Sequence, residues 1–265
     1  MKTLVSTLLM TVLATAFYVP EADAALDEDI VLAMPFDEGE GETTKDLSAH
    51  ANHGTLMQNA GWAKGKFGNG IIVEPIGYVD AGNDPSLSLF KTDFTLAAWV
   101  HMKDTVVHQH GFMGHDEGGG TTNKWIFRYN KGGSQSINFH INRADGAGVN
   151  QLEPGVWKTK PNTWYHAAVV RSGNKYTFYT DGKRNGQIES DVAVPKFIDA
   201  PVTIGWAEGP IALDGRIDEA LIAKRAFTAD EIKTHFQGGV KQVLAVQPAG
   251  KAATIWGAIK TRTLR

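Results

Sequence analysis

The sequence predicts an all-β domain, a sandwich or barrel of short strands followed by one short C-terminal helix. Three observations support this fold class. Residues 94–101 alternate, which places Phe94, Leu96, Ala98 and Val100 on one face of an extended chain. Short apolar runs of this kind recur along the chain, and 29 glycines and 10 prolines supply turns between them. A single helix signature follows the last run.

The predicted strands form one series before the helix, at residues 30–34, 71–73, 78–81, 94–101, 125–129, 137–141, 164–171, 176–180, 202–205 and 215–222. Ser172-Gly173-Asn174 predicts a hairpin between two of these strands, and Asp181-Gly182 predicts a turn with positive φ after Thr180. The helix begins at a capping box, Thr228-Ala-Asp-Glu231, and has an apolar stripe through Ile232 and Phe236. Gly238 predicts its end.

The composition excludes several classes of protein. The chain has 265 residues and is 42% hydrophobic, which is ample for a core and excludes intrinsic disorder, collagen and a coiled coil. The net charge of −3 gives no reason to expect nucleic acid as a partner. Cysteine is absent, which excludes disulfides, thiolate metal sites and a cysteine nucleophile.

The two ends of the chain differ from its middle. Residues 1–24 have the features of a secretory signal peptide, because Lys2 precedes an apolar run too short for a membrane span and Ala22-Asp-Ala24 offers a cleavage site. We expect a domain at residues 25–238 and a basic tail at residues 239–265, since no acidic residue follows Glu231. The expected product is secreted, with no stable membrane span after signal removal. Its tail is interpreted as a solvated terminus or as a surface-attachment segment.

Several blocks of the sequence, taken in order, resemble a known family. They include Pro35-Phe-Asp-Glu-Gly-Glu-Gly41, Gly65-Lys-Phe-Gly-Asn-Gly70, Tyr78-Val-Asp80, Asn162-Thr-Trp-Tyr-His-Ala167, Asp214-Gly-Arg-Ile-Asp-Glu219 and Arg225-Ala-Phe-Thr-Ala-Asp-Glu-Ile232. Residues 30–237 are thereby similar to a laminin G-like domain of the concanavalin A-like lectin/glucanase superfamily, in its bacterial extracellular form. The resemblance implies a two-sheet antiparallel jelly-roll sandwich with adjacent first and last strands. A fold that supports so many activities does not by itself define the function.

The resemblance also implies a structural calcium ion, Ca2+, held by an N-terminal acidic residue, loop carbonyls and an Asp of the last strand. The matching positions are Asp37 and Asp218. The residues themselves are compatible with this site, because calcium prefers six to eight oxygen ligands and acidic residues of the terminal strands converge if those strands pair. The alternative is that these carboxylates are ordinary turn and surface residues.

Signatures of catalysis are weak in this sequence. The superfamily's retaining glucanases carry a Glu-x-Asp-x-Glu arrangement on one strand, whereas the nearest spacing here, Glu38-Gly-Glu-Gly-Glu42, has two glycines and suggests a mobile loop. Gly-x-Ser-x-Gly, P-loop and dinucleotide fingerprints are missing. His108 and His110 would point to one face of an extended chain, as a zinc or copper site needs. The Gly-rich segment that holds them and His115 is nevertheless interpreted as a solvated loop.

Aromatic and polar side chains on two neighbouring strands are the candidate recognition residues. Such residues on a concave β face bind glycans without catalysis, through stacking and hydrogen bonds to hydroxyl groups. The candidate ligand-binding group is Trp125, Arg128, Tyr129, Asn138, His140 and Asn142. The alternative for the aromatic members is burial in the core.

These observations predict a secreted, non-catalytic binding module for carbohydrate or another extracellular partner, such as a surface protein, stabilised by calcium. A structural or adhesive cell-surface protein whose basic tail makes the attachment is the second hypothesis. A glucanase-like glycoside hydrolase is the third.

Overall fold

The computed structural model describes residues 26–74, 76–105, 109–118, 122–130, 135–143, 150–196, 198–209 and 211–245. The predicted signal peptide, His108 and the tail beyond Ala245 lie outside these residues. The strands of the described part are β1 (Ile30–Met34), β2 (Thr43–Thr44), β3 (Gly54–Met57), β4 (Gly61–Lys64), β5 (Asn69–Val73), β6 (Tyr78–Asp80), β7 (Phe94–Met102), β8 (His110–Asp116), β9 (Lys124–Asn130), β10 (Ser136–Asn142), β11 (Asn150–Leu152), β12 (Thr163–Ser172), β13 (Lys175–Thr180), β14 (Lys183–Glu189), β15 (Val202–Ile204), β16 (Trp206–Glu208), β17 (Ile211–Ala212) and β18 (Gly215–Ala223). A 3-10 helix, η1 (Pro85–Leu87), and an α-helix, α1 (Ala229–Ala245), complete them.

Two antiparallel sheets form the body of the molecule, as the sequence predicts. The first has the order β14-β13-β12-β7-β18-β5-β4, with β1 also paired to β18. The second has the order β11-β10-β9-β8-β15-β6-β3-β2, and β16 and β17 form a separate hairpin. The first and last strands, β1 and β18, are neighbours, which confirms the arrangement that the family resemblance implies.

Strand β18 changes its partner halfway along its length. Its first residues, Gly215 to Ile217, pair with β5, whereas Ala220 to Ala223 pair with β1. The ladder to β7 has an irregularity between Asp218 and Leu221, and Glu219 has a φ of 55°. The adjacent acidic residues Asp218 and Glu219 therefore lie at a β-bulge, a feature that redirects side chains out of the regular pleat.

The main core lies between the two sheets, where alternate residues of each strand face inward. In β7 these are Phe94, Leu96, Ala98 and Val100, all fully buried, which confirms the face predicted from the sequence. A smaller apolar layer on the other face of the first sheet packs against α1, with Ala97, Ala168, Leu221, Ile232, Val240 and Val243 among its members.

The C-terminal helix begins as predicted, and its regular helical geometry ends at Gly238, also as predicted. The capping box forms in full, since the backbone N–H of Thr228 donates to Glu231 Oε2 at 2.8 Å and the N–H of Glu231 donates to Thr228 Oγ1 at 3.2 Å. The backbone breaks its helical geometry at Gly239, where φ is 68° and ψ is −164°, and the segment then continues to Ala245. Because the apolar layer buries Val240 and Val243, the packed chain extends beyond the boundary that Gly238 suggests.

Candidate functional site

The predicted recognition residues are divided between the two faces of the second sheet. Strands β9 and β10 pair in register, with Arg128 opposite Asn138 and Ile126 opposite His140. Because successive side chains of a strand point to opposite faces, Trp125 and Tyr129 point the other way, into the sandwich. Both are 0% exposed members of the main core. The expectation that all six residues form one face is therefore wrong for these two aromatic residues.

Core contacts explain the positions of the two inward aromatic side chains. The Trp125 ring stacks on Phe139, with ring centroids 6.1 Å apart. The Tyr129 hydroxyl donates to the carbonyl of Thr105 at 3.1 Å and lies at the same distance from the Thr159 hydroxyl. Both residues stabilise the sandwich and neither is available on the outer face, the face of this sheet that is turned away from the first sheet.

The other four predicted residues lie on the outer face, where Arg128 and Asn138 form a hydrogen-bonded group with Glu153. Arg128 Nε donates to Asn138 Oδ1 at 2.9 Å, and Asn138 Nδ2 donates to Glu153 Oε1 at 3.1 Å. Asn142 Nδ2 donates to the carbonyl of Thr122 at 2.9 Å. Burial, reinforced by the charge of Arg128, lowers the pKa of His140 to about 4, so this ring is neutral at pH 7. Arg128, Asn138 and Asn142 are thus bonded to protein partners, whereas His140 Nδ1 has no hydrogen-bond partner among the described residues.

The hairpin of β16 and β17, named here the covering hairpin, lies across the middle of the outer face. Its Ala207 and Ile211 form an apolar contact with Ile126. The close approach depends on two glycines of β8. A Cβ on Gly111 would come within 2.7 Å of the Ile211 carbonyl oxygen, and a Cβ on Gly114 within 2.8 Å of the Ala207 Cβ. The glycines of β8 therefore make room for a hairpin that divides the outer face into two halves.

A buried charge cluster anchors one corner of the covering hairpin. Lys124 is 1% exposed, its Nζ lies 3.4 Å from Asp116 Oδ2, and it also pairs with the carboxylate of Glu208. Burial and the neighbouring Glu208 raise the pKa of Asp116 to about 6, against the opposing effects of the Gly118 amide and Lys124. These two carboxylates come from strands far apart in the sequence, which is why motif spacing does not reveal them.

An aromatic pair lies on the half of the outer face that contains β6, on the opposite side of β8 from β9 and β10. Tyr78 and Trp206 are both half-buried, and their rings stack with centroids 5.2 Å apart and planes inclined by 29°. Val79 of β6 points into the core, so its neighbours Tyr78 and Asp80 point outward. The Trp206 indole N–H donates to the carbonyl of Gly209 at 3.3 Å, which fixes its ring. Sequence reasoning did not single out this pair, although the alternation in Tyr78-Val79-Asp80 is its one sequence signal.

The predicted calcium ligands lie on either side of the turn between β4 and β5. Asp218 is fully buried, and its carboxylate accepts backbone N–H groups of Lys66 at 2.8 Å, Phe67 at 3.0 Å and Glu219 at 3.0 Å. Asp37 pairs with Lys241, 2.6 Å away. Burial raises the pKa of Asp218 to about 8.

This donor set fits calcium only in part. Within the described ranges, three or more His, Asp or Glu side chains do not come together around a common metal position. The backbone amides engage Asp218, and the ammonium of Lys241 engages Asp37. An ion at this position would draw most of its six to eight oxygens from backbone carbonyls and water. Calcium binding stays a prediction.

The two described histidines of the Gly-rich segment are not in a solvated loop. His110 and His115 belong to β8 and are 0% and 5% exposed. His110 Nε2 lies 2.8 Å from the Asp104 carbonyl, and its Nδ1 accepts the N–H of Asp214 at 3.3 Å. The solvated-loop interpretation is wrong for both residues, because the covering hairpin and the core bury this strand.

Comparisons with known families place this fold in a class. The laminin G type 3 family model, described as the concanavalin A-like lectin/glucanases superfamily, matches residues 76–233. The match covers more than half of the chain, and the chain belongs to this superfamily. No curated protein sequence matches this chain. The described residues include no helix long and apolar enough to span a membrane.

Solved structures share the fold at low sequence identity. Domain 4 of AbnA, an extracellular GH43 arabinanase from Geobacillus stearothermophilus in complex with arabinotriose, is 14% identical, with a TM-score of 0.63 over 77% of this chain and 96% of that chain. The binding domain of Paraclostridial Mosquitocidal Protein 1 is also 14% identical, with a TM-score of 0.59 over 78% and 51%. The receptor binding domain of botulinum neurotoxin C/D mosaic serotype is 10% identical, with a TM-score of 0.58 over 79% and 51%. This chain thus spans about half of each toxin domain.

Proposed function

We propose that this chain is a secreted, non-catalytic module that binds carbohydrate through the outer face of its second sheet. The observation that carries the proposal is the stacked pair of Tyr78 and Trp206, which are half-buried on the outer face. Aromatic rings combine a large apolar surface with a polar tip, which suits the mixed character of a sugar ring. The AbnA domain, whose structure contains arabinotriose, shares the fold and supports this choice of ligand class.

Polar groups beside the aromatic pair would bind sugar hydroxyls. Asp80 lies next to Tyr78 on the same face and is half-buried, and one of its carboxylate oxygens accepts the N–H of Gly82 at 2.8 Å. The Thr203 hydroxyl, by contrast, is used within the protein, where it donates to the Trp206 carbonyl at 2.7 Å. We therefore assign stacking to Tyr78 and Trp206 and hydroxyl binding to Asp80. The Arg128 and Asn138 group, largely satisfied by protein partners, is assigned a supporting role.

A glycan microarray followed by calorimetry with arabinotriose and other oligosaccharides tests this assignment. We expect saccharide-dependent binding that falls about five- to thirtyfold in Trp206→Ala and Tyr78→Ala, since a lost aromatic contact is worth on the order of 1–2 kcal/mol. Trp62→Ala is the matched control, because Trp62 is a half-buried tryptophan on the first sheet. Its binding should be unchanged.

Two results would reject the proposal in different ways. A complete lack of saccharide-dependent signal would favour the structural or adhesive surface protein instead. Release of reducing sugar from β-glucans, abolished by Asp116→Asn or Glu208→Gln, would favour the glycoside hydrolase and assign these two carboxylates to catalysis.

A further inference from the structure

The sandwich has a pocket at one end that the proposed outer-face site does not use. This end pocket has a volume of about 220 Å³ and lies among η1, the ends of β8 and β9, and the segment before β15. Its apolar walls include Leu89, Val194, Pro195 and Ile198. Pockets for drug-sized ligands measure roughly 300–1,000 Å³, so this one suits a smaller molecule.

Two residues lining the end pocket carry ring nitrogens that lack a hydrogen-bond partner among the described residues. They are Trp125 Nε1 and His115 Nδ1, both in fully buried positions. The two rings are perpendicular, with centroids 6.1 Å apart. Buried polar atoms are almost always hydrogen-bonded. We therefore expect each of these two nitrogens to bond to a partner that is not among the described residues.

The hydrogen bonds around His115 establish which role its free nitrogen plays. Its Nε2 lies 2.8 Å from the Ala200 carbonyl and 3.2 Å from Asn83 Oδ1. The Asn83 amide is oriented by its Nδ2, which donates to the Ile198 carbonyl at 3.3 Å. Nε2 thus faces two acceptors and carries the proton. Burial lowers the pKa of His115, which keeps the ring neutral and leaves Nδ1 as an acceptor.

The residues that line the end pocket therefore carry one unpartnered donor, the Trp125 indole N–H, and one unpartnered acceptor, His115 Nδ1. A hydroxyl group both donates and accepts, so hydroxyl-bearing ligands match this pair, whereas a carboxylate would meet the lone pair of Nδ1. The charged lining residues are Asp84 and Lys196, which are exposed and opposite in sign. Their charges offset each other and do not select for a charged ligand.

We propose that the end pocket binds a neutral, hydroxyl-bearing ring of monosaccharide size, with one hydroxyl or more engaged by Trp125 Nε1 and His115 Nδ1. The apolar walls pack against the C–H faces of the ring. The ligand is either a free sugar or the terminal residue of a glycan, since both present the same chemistry. This site is separate from the outer face and does not depend on the function proposed above.

The test follows the indole N–H resonances of the 15N-labelled full chain while arabinose, galactose, glucose or N-acetylglucosamine is added. The Trp125 resonance is assigned from its loss in Trp125→Phe. We expect at least one sugar to shift it, and we expect Trp125→Phe to weaken binding of that sugar about five- to tenfold through loss of one hydrogen bond. Trp99→Phe is the matched control, because Trp99 is also buried and its indole N–H also has no partner in the described part of the chain.

The outcomes separate the sources of the ligand and the two sites. A trisaccharide that shifts the resonance as strongly as its terminal sugar identifies a glycan end, and a shift with the monosaccharide only identifies a free sugar. Trp206→Ala should leave the shift intact even if it abolishes binding on the outer face. A Trp125 resonance that no sugar shifts would overturn the proposal. A Trp125 N–H that still shows a cross-peak to a bound water at saturating sugar would also overturn it.

Discussion

His166 Nε2 lies 2.9 Å from His235 Nδ1, and this pair joins strand β12 to helix α1. Both rings are 0% exposed, and the aromatic rings of Trp99 and Phe236 flank His166 at centroid distances of 5.6 and 5.8 Å. Burial lowers the pKa of both histidines, that of His235 to about 4. The contact that holds the helix on the first sheet is therefore a neutral one.

Acid should weaken the attachment of α1 through this histidine pair. An unfolded histidine has a pKa near 6.5. Between about pH 6.5 and pH 4 the unfolded chain therefore binds protons at these two histidines that the folded chain does not bind. The stabilisation is complete above the unfolded pKa and is lost as the pH falls, by about 3 kcal/mol for a shift like that of His235. The measurement is the free energy of unfolding in urea as a function of pH.

A variant isolates this effect from other titrating groups. The charged residues nearby are Asp181, which accepts the N–H of His166, Lys66, over the Trp99 ring, and Glu219. In the His166→Leu/His235→Leu double variant these groups remain, and the loss of stability below about pH 6.5 should be shallower than in the native chain. Between about pH 7 and pH 8 the difference between the two proteins should be constant. Parallel curves over the whole range would contradict the prediction.

Adding one methyl group at Gly114 should displace the covering hairpin. A Cβ there would lie 2.8 Å from the Ala207 Cβ and 2.9 Å from its Cα, and backbone does not yield easily. We expect Gly114→Ala to lower the free energy of unfolding by about 1–3 kcal/mol, the usual cost of overpacking. Gly61→Ala is the control, since its Cβ would meet only a side-chain methyl at 3.7 Å. Equal stability of the two variants would show that the hairpin is not held against β8.

Removing the ammonium of Lys124 should be costly because it leaves Asp116 buried without its cation. Breaking a buried ion pair from one side costs about 3–5 kcal/mol, and the partial exposure of Glu208 favours the lower end of that range. Lys124→Met should regain stability as the pH is lowered from about 7 to 5, since protonation of Asp116 removes the unpaired charge. The Lys124→Met/Asp116→Asn double variant should recover most of the loss in urea unfolding. A single variant as stable as the native chain would refute this role.

The alternation of apolar residues predicted the long strands well but could not assign their faces. In β9, Trp125, Phe127 and Tyr129 alternate with Ile126, Arg128 and Asn130, and an aromatic row suits either a ligand face or a core. The choice is made by the first sheet, which covers the aromatic row. Such a contact between distant parts of the chain is absent from local sequence.

The local sequence of strand β8 likewise did not reveal the distant parts of the chain that bury it. Gly111 and Gly114 interrupt its pattern, and this gave the appearance of a solvated loop. In the structure the glycines admit the covering hairpin, whose residues lie about a hundred positions further along the chain. The Tyr78 and Trp206 pair and the two buried histidines are likewise formed by long-range contacts. The capping box of α1 was predictable because all of its partners lie within one helical turn.

Lys241 pairs with Asp37, one of the two predicted calcium ligands. Its ammonium lies 2.6 Å from Asp37 Oδ2 and is more than half exposed, so a cation that binds Asp37 competes with it. If calcium binds here, it should raise the melting temperature relative to EGTA, by an amount equivalent to about 2.7 kcal/mol at a hundredfold excess over Kd. Lys241→Ala frees the carboxylate and should lower the calcium concentration needed for that rise, whereas Asp37→Asn should abolish it. Lys233→Ala removes a lysine from the same helix without touching Asp37 and serves as the control. Identical melts in calcium and EGTA for the native chain and for Lys241→Ala would leave Lys241 as the cation that neutralises Asp37.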